Sequence, residues 1–145
     1  MSSKLIWALL LGSIGIVMCG PPERSPSGFR LPEGDVARGQ KAFVELKCDA
    51  CHRVPGLDLP APVADPPVPV PLGGGVDYQP TDGKFVTSII NPSHKIGRYP
   101  EELVKSGEGS RMADYSDVMT VRQLSDLVTF LHSRYTYTPP RRPIH

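Results

Sequence analysis

The residues best suited to chemistry lie in one short run, Cys48-Asp49-Ala50-Cys51-His52. Two cysteines separated by two residues, with a histidine directly after the second, form the pattern that attaches a c-type haem. Each thiol of such a motif forms a thioether with one haem vinyl group, and the histidine becomes the proximal ligand of the iron. The spacing therefore predicts that Cys48 and Cys51 attach one haem c and that His52 binds its iron.

The same cysteine spacing has two other common uses, which the flanking sequence disfavours. A thioredoxin-like Cys-x-x-Cys opens a helix after a strand within a βαβ pattern, whereas this motif follows a predicted helix and precedes a proline-rich stretch. A structural zinc site needs two further Cys or His ligands at finger-like spacing, and the chain has no second cysteine pair. Haem attachment is therefore the favoured interpretation.

The composition limits the class of protein. The chain of 145 residues has the length of a single domain, and its formal net charge is +1. Without a basic stripe, the sequence gives no indication of nucleic-acid binding. Aromatic residues are 7% of the chain and prolines number 17, so the polypeptide alone would form a thin core that a buried haem would complete. We expect no enzyme, because there is no Ser-His-Asp order, phosphate loop or catalytic carboxylate pair.

The N-terminal residues 1–18 have the pattern of a signal peptide. Lys4 precedes an apolar run over residues 5–18, which is short for a bilayer span but suits a signal-peptide core. Residues 16–19 are similar to a bacterial lipoprotein processing box, except that bulky residues precede the cysteine. We favour lipidation of Cys19 as the new N-terminus; an ordinary cleavage site nearby and an uncleaved anchor are the alternatives.

The segment after Cys19 predicts a flexible tether, since residues 19–32 are rich in Pro, Ser and Gly. Acyl chains on Cys19 would hold the protein at a membrane without a transmembrane helix. We therefore expect an extracytoplasmic protein on the periplasmic side of a bacterial membrane, anchored as a lipoprotein. Export agrees with the cysteine count, because haem attachment uses Cys48 and Cys51 and leaves Cys19 no disulfide partner.

Helices are predicted at both ends of the domain. Asp35 can cap a helix that runs to the motif. The residues on its apolar side are Val36, Gly39, Phe43 and Leu46. Thr120 and Gln123 form a capping box for the last helix. The apolar stripe of that helix comprises Val121, Leu124, Leu127, Val128 and Leu131.

Between these helices the sequence predicts a long proline-rich loop and two shorter helices. Residues 53–75 offer little backbone hydrogen bonding, because seven prolines between positions 55 and 71 lack the N–H donor. We expect this loop to be extended and to wrap around one side of the haem. Asp82 can cap a helix over residues 83–90, and Pro100 suits the first turn of a short helix through about Ser106.

Together these features resemble the small class I cytochromes c over about residues 34–135. In that family a glycine and an aromatic residue of the first helix cross the last helix closely, and Gly39, Phe43 and Phe130 occupy matching positions. The resemblance implies an all-α fold, with helices packed around one covalently bound haem and a long proline-rich loop. The predicted segments of the chain are a signal peptide (1–18), a lipid-anchored linker (19–32), the cytochrome c domain (33–136) and a polar tail (137–145).

The resemblance also implies how the proximal histidine is held. In the family, a Gly-Pro-x-Leu segment supplies the proline carbonyl that accepts a hydrogen bond from this histidine. The present chain has prolines at other offsets from its leucine, Leu72. Pro69 and Pro71 are therefore the two candidates to support His52.

The family places the sixth ligand of the iron in a loop before the last helix, typically in a Met-Pro-x-aromatic sequence. Met112 begins the corresponding run, Met-Ala-Asp-Tyr, and is the predicted second axial ligand. Met119 directly precedes the Thr120 cap, so we expect it to pack on the helix start instead. The alternatives to Met112 are His94, His132 and an open site, and we expect His132 to lie at the surface.

The function that the resemblance implies is one-electron transfer between redox partner proteins. With His/Met ligation we expect a moderately positive reduction potential, because the neutral thioether favours ferrous iron. Two alternatives are a haem subunit held permanently in a larger oxidoreductase complex and a protein whose displaceable sixth ligand lets the haem bind a gas or peroxide.

Overall fold

Helices make up most of the secondary structure. The computed structural model describes residues 29–64 and 70–139. The elements in chain order are α1 (Val36–Glu45), a 3₁₀ helix (Cys48–Ala50), β1 (Gly74–Val76), α2 (Asp82–Ile90), α3 (Glu101–Val104), β2 (Lys105–Ser106), β3 (Gly109–Ser110), α4 (Val121–Arg134) and β4 (Tyr135–Tyr137). β1 pairs in parallel with β4, and β2 pairs with β3 in an antiparallel hairpin. The predicted all-α fold is confirmed, with two short sheets that the sequence did not predict.

Several predictions concern residues outside the described ranges. These are the signal peptide (1–18), Cys19, most of the linker, Pro69 and most of the polar tail. Among the residues that the structure describes, no helix is both long enough and apolar enough to cross a membrane.

The two long helices begin at the predicted caps. Asp35 accepts a hydrogen bond from the Arg38 amide at 2.8 Å and so caps α1. At the start of α4, the Gln123 amide donates to Thr120 Oγ1 at 3.1 Å. The Thr120 amide donates in return to Gln123 Oε1 at 3.0 Å, which completes the capping box.

The apolar faces of the two helices meet in the core. The buried apolar residues are Ala42 and Phe43 of α1 with Leu124, Leu127, Val128, Phe130 and Leu131 of α4. The prediction is wrong for Val36 and Val121, which are 39% and 64% exposed. Val121 is the first residue of α4, and an apolar stripe is buried only where another element covers it.

Gly39 allows the backbones of α1 and α4 to touch. A Cβ at this position would overlap the carbonyl oxygen of Asp126 and would lie 2.6 Å from the Cβ of Phe130. One turn further along α1, the rings of Phe43 and Phe130 pack with their centroids 5.7 Å apart. The close crossing predicted for Gly39, Phe43 and Phe130 is therefore confirmed.

An ion pair between a buried carboxylate and a largely exposed arginine, which the sequence did not indicate, holds the same crossing. Asp126 is 2% exposed, and its carboxylate accepts hydrogen bonds from Arg38 Nε at 2.8 Å and Nη2 at 3.0 Å. The Asp35 amide donates to the same carboxylate at 2.7 Å. These bonds, chiefly those from Arg38, hold the pKa of Asp126 below its ordinary value. The carboxylate is therefore ionised at neutral pH and joins α4 to the first turn of α1.

The two shorter helices differ from their predicted bounds. Thr81, rather than Asp82, caps α2, because Thr81 Oγ1 accepts a hydrogen bond from the Lys84 amide at 3.2 Å. Asp82 is the first residue of the helix, and its carboxylate lies 2.8 Å from Nε2 of His132. The helix predicted through Ser106 is shorter, since β2 begins directly after α3 and pairs with β3.

We predict that Gly39→Ala lowers the free energy of unfolding by about 2 kcal/mol, because an added methyl group must push apart a tightly packed contact. Gly83→Ala is the matched control: Gly83 lies in α2, and nothing lies within 4 Å of a Cβ placed there. The free energy of unfolding of the control should rise by up to about 1 kcal/mol, because alanine has a higher helix propensity than glycine. Chemical denaturation followed by circular dichroism measures both values. A Gly39→Ala protein as stable as the wild type would contradict the close crossing.

Candidate haem site

The cysteine motif lies directly after the end of α1. Leu46 caps the helix, and Lys47 adopts the left-handed conformation (φ 60°) that commonly ends a helix. The motif then winds into a tight turn, in which the Cys48 carbonyl accepts hydrogen bonds from the Cys51 amide at 3.2 Å and the His52 amide at 2.9 Å. The two predicted attachment residues and the predicted proximal ligand therefore lie within one turn of chain.

Both thiols of the motif are available. Cys48 and Cys51 are free and partly buried. Burial, together with the charge of neighbouring Asp49, raises the pKa of Cys48 to about 11, so this residue is a neutral thiol at neutral pH. Asp49 is 6% exposed, and its Oδ1 has no hydrogen-bond partner in the part of the chain that the structure describes.

The ring of His52 is held in one tautomer. Its Nδ1 lies 3.0 Å from the carbonyl oxygen of Val70. Because a carbonyl oxygen can only accept, Nδ1 carries the hydrogen and donates it. The lone pair is then on Nε2, which is the arrangement of a histidine that binds a metal through Nε2.

The acceptor for His52 differs from the prediction. The carbonyl of Val70, rather than that of Pro71, lies against Nδ1 of His52, and Pro69 lies outside the described residues. Val70 stands two positions before Leu72, which is the offset of the proline from the leucine in the Gly-Pro-x-Leu pattern. The Leu72 amide donates to the Arg53 carbonyl at 2.8 Å and so holds this segment beside the motif.

Met112 lies in the loop between the β2–β3 hairpin and α4. Its amide donates to Ser110 Oγ at 3.1 Å, and its side chain is partly buried against the hydrophobic core. Three residues further on, the Tyr115 hydroxyl donates to the Leu46 carbonyl at 3.1 Å. Burial raises the pKa of the Tyr115 hydroxyl. The loop of Met112 is therefore joined to the chain just before the cysteine motif.

The other candidate ligands are engaged or exposed. Met119 and Leu124, which occupy the two sequence positions of a hydrophobic staple, line one cavity of about 160 Å³ at the start of α4. His132 is not at the surface as predicted: its side chain is 18% exposed, and its ring meets Phe85 edge-on at 4.9 Å. Asp82 binds its Nε2 at 2.8 Å and Gln79 approaches its Nδ1 at 3.4 Å. His94 is exposed.

The surroundings of the motif suit a large apolar group. Partly buried apolar residues pack against the core in the segments that flank the motif and Met112; among them are Leu46, Leu57, Leu59, Leu72, Ile90 and Tyr115. In residues 29–64 and 70–139, no three His, Cys, Asp or Glu side chains are grouped to hold a metal ion. A haem iron needs only one ligand of this kind. The free thiols, the tautomer of His52 and this apolar lining fit a covalently bound haem.

The family model described as Cytochrome c matches residues 36–134. The chain belongs to the cytochrome c family. No curated protein and no solved structure matches it. As a cytochrome c, it binds covalently attached haem c and takes part in haem-based electron transfer. The matched residues of this cytochrome c contain both crossing helices, the cysteine motif and Met112.

Three contributions to the site were not predicted: the carbonyl of Val70, the bond from Tyr115 to Leu46 and the buried Asp49. The sequence did contain a signal for Val70, which lies two positions before the leucine, as the proline of the family pattern does. A backbone carbonyl at that position can accept a hydrogen bond whatever its side chain is. Nothing in the local sequence marks Asp49 as buried. The sequence showed that Tyr115 occupies the aromatic position of the family pattern, but it did not show that the hydroxyl bonds to Leu46.

Proposed function

We propose that this cytochrome c is a one-electron carrier with a His/Met-ligated haem, tethered outside the cytoplasm to a bacterial membrane. The observation that carries the proposal is the tautomer of His52, whose Nε2 is left to bind iron within one turn of two free thiols. Cys48 and Cys51 are also the only cysteines in the matched residues 36–134. Their thiols would bind the two haem vinyl groups.

Met112 is the proposed sixth ligand. Met112 and Met119 are the only methionines in residues 36–134, and Met119 directly precedes the Thr120 cap, where it lines a cavity at the start of α4. Both ring nitrogens of His132 face hydrogen-bond partners, and His94 is exposed. Met112 is partly buried against the core, and Tyr115, three residues further on, bonds to the end of α1 just before the cysteines.

The residues around the haem would set its redox behaviour. The bound haem supplies the one-electron couple. The thioether of Met112 is a soft, neutral donor that favours ferrous iron. The apolar side chains exclude water and disfavour the extra positive charge of the ferric state. The hydrogen bond from His52 Nδ1 to the Val70 carbonyl would fix the orientation of the ring that binds the iron. We therefore expect a moderately positive reduction potential.

Electron transfer is favoured over catalysis for this site. His52 and Met112 would together complete the ligands of the iron and would leave no coordination position open for a substrate. A carrier of this kind binds its donor and acceptor proteins through small, weak interfaces. Purification as a monomer that is reversibly oxidised and reduced would agree with a carrier, and a stable multisubunit complex would contradict it.

The membrane tether is proposed from the sequence before the domain. Residues 1–18 would be removed as a signal peptide, and acyl chains on Cys19 would anchor the linker over residues 19–32. The cytochrome c domain, proposed as residues 33–136, would then face the periplasm, and residues 137–145 would form a polar tail. Haem attachment would use Cys48 and Cys51, and lipidation would account for the third cysteine, Cys19, which has no disulfide partner.

Haem attachment is tested by expressing the full chain with a cytochrome c maturation system and recording the pyridine haemochrome spectrum. We expect the spectrum of a haem with both vinyl groups saturated. Cys48→Ala and Cys51→Ala should each shift the main band to longer wavelength, because one vinyl group stays conjugated with the ring. Cys19→Ala is the control and should leave the spectrum unchanged. A folded but colourless wild-type protein would refute the proposal.

The sixth ligand is tested in the ferric protein by the weak charge-transfer band in the red that accompanies Met ligation. We expect the band in the wild type and in Met119→Ala, and its loss in Met112→Ala. The same variant should have a lower reduction potential and should bind CO rapidly when reduced, because one axial position is open. A wild-type protein that lacks the band, or that binds CO rapidly without denaturant, would contradict Met112 ligation.

The tether is tested by mass spectrometry of the mature N-terminus from a bacterial host. We expect the N-terminal residue to be Cys19 carrying acyl chains, and Cys19→Ser to be released from membranes by a salt or alkaline wash that does not release the wild type. An unmodified N-terminus downstream of Cys19, or an intact residue 1, would overturn lipidation.

A further inference from the structure

The loop that carries Met112 is joined to two different parts of the chain. The Arg111 amide donates to the Val104 carbonyl at 2.8 Å, and the Met112 amide to Ser110 Oγ at 3.1 Å, so these bonds hold the loop to the hairpin before it. The Tyr115 hydroxyl instead donates to the Leu46 carbonyl at 3.1 Å, across a sequence separation of 69 residues. Tyr115 thus connects the loop to the end of α1.

The acceptor of this bond is a backbone carbonyl at the C-terminal end of α1. Leu46 is the C-cap of α1. The carbonyl groups at the C-terminal end of a helix receive no hydrogen bond from an N–H group of the same helix. Leu46 also lies two residues before Cys48, and Tyr115 lies three residues after Met112. One hydrogen bond therefore joins the segment that would hold the haem by a thioether to the loop that would supply the sixth ligand.

The environment of Tyr115 makes the bond effective. The residue is partly buried and packs against the hydrophobic core. Burial raises the pKa of its hydroxyl, so the group is a neutral donor at physiological pH. A partly buried hydrogen bond is replaced by one to solvent less readily than a fully exposed bond.

We propose that Tyr115 is a positioning residue that holds the Met112 loop against the end of α1 and thereby resists displacement of Met112 from the iron. The inference rests on the proposed His/Met ligation. An outside ligand can take the sixth position only if Met112 moves away, and the movement of the loop breaks the bond between Tyr115 and Leu46. Without the hydroxyl there is no such bond to break, so displacement of Met112 costs less free energy.

The test is a titration of the full-length ferric protein, loaded with haem, with imidazole. Loss of the red charge-transfer band reports displacement of Met112. We expect Tyr115→Phe, which keeps the ring and removes the hydroxyl, to lower the dissociation constant for imidazole about fivefold, equivalent to about 1 kcal/mol. Tyr115→Leu, which also removes the ring, should lower it further.

Tyr78→Phe is the control, because the Tyr78 side chain is half exposed and its ring lies 4.9 Å from Lys84 Nζ rather than on the Met112 loop. This control should bind imidazole as the wild type does. Denaturant unfolding of the same variants separates positioning from general stability. If Tyr115→Phe lowers the free energy of unfolding but leaves the imidazole constant at the wild-type value, the residue is only structural and the inference is wrong.

Failure of this inference is distinguishable from failure of the proposed function. A wild-type ferric protein without the red band, or a Met112→Ala variant that keeps it, overturns Met112 ligation and the role of Tyr115 with it. A wild type with the band, lost in Met112→Ala, together with an unchanged imidazole constant in Tyr115→Phe, overturns the role of Tyr115 alone.

Discussion

The structure depends on how closely α1 and α4 approach each other at Gly39. Without a side chain at this position the two backbones touch, and Phe43 reaches the ring of Phe130. Apolar burial is not directional and by itself would allow the helices to slide. The carboxylate of Asp126 removes that freedom, because its bonds to Arg38 and to the start of α1 can form in only one register.

This register decides where the haem site lies. The cysteine motif begins where α1 ends, so the direction of α1 sets the position of both thiols and of His52. At the other end of α4, β4 pairs with β1, which follows the segment that supports His52. Gly73 sits at this junction with φ 115°, and a Cβ there would lie 2.9 Å from the Arg134 carbonyl oxygen. The two helices therefore position the site from both sides.

The haem of a cytochrome c is also part of its core. The apolar side chains that flank the motif are only partly buried by protein, and a bound haem would cover them. Haem loading and folding are then linked, because a group that binds only the folded chain stabilises it. The same apolar lining that completes the core lowers the polarity around the iron, so stability and reduction potential depend on the same side chains.

The features that the sequence alone determined are local ones. The spacing of Cys48, Cys51 and His52, the cap at Asp35 and the capping box at Thr120 each depend on residues within a few positions of one another, and the structure has each helix start where its cap predicts. The close approach at Gly39 was predictable as well, through the resemblance to a known family rather than through any local rule.

Only the tertiary structure decided which distant groups meet. Arg38 and Asp126 are 88 positions apart, and Tyr115 and Leu46 are 69 apart, so no local pattern pairs them. The acceptor for His52 is a backbone carbonyl, a group that every residue carries, so side-chain chemistry could not identify it. Partners of this kind are chosen by the geometry of packed helices and loops, which exists only once the chain has folded.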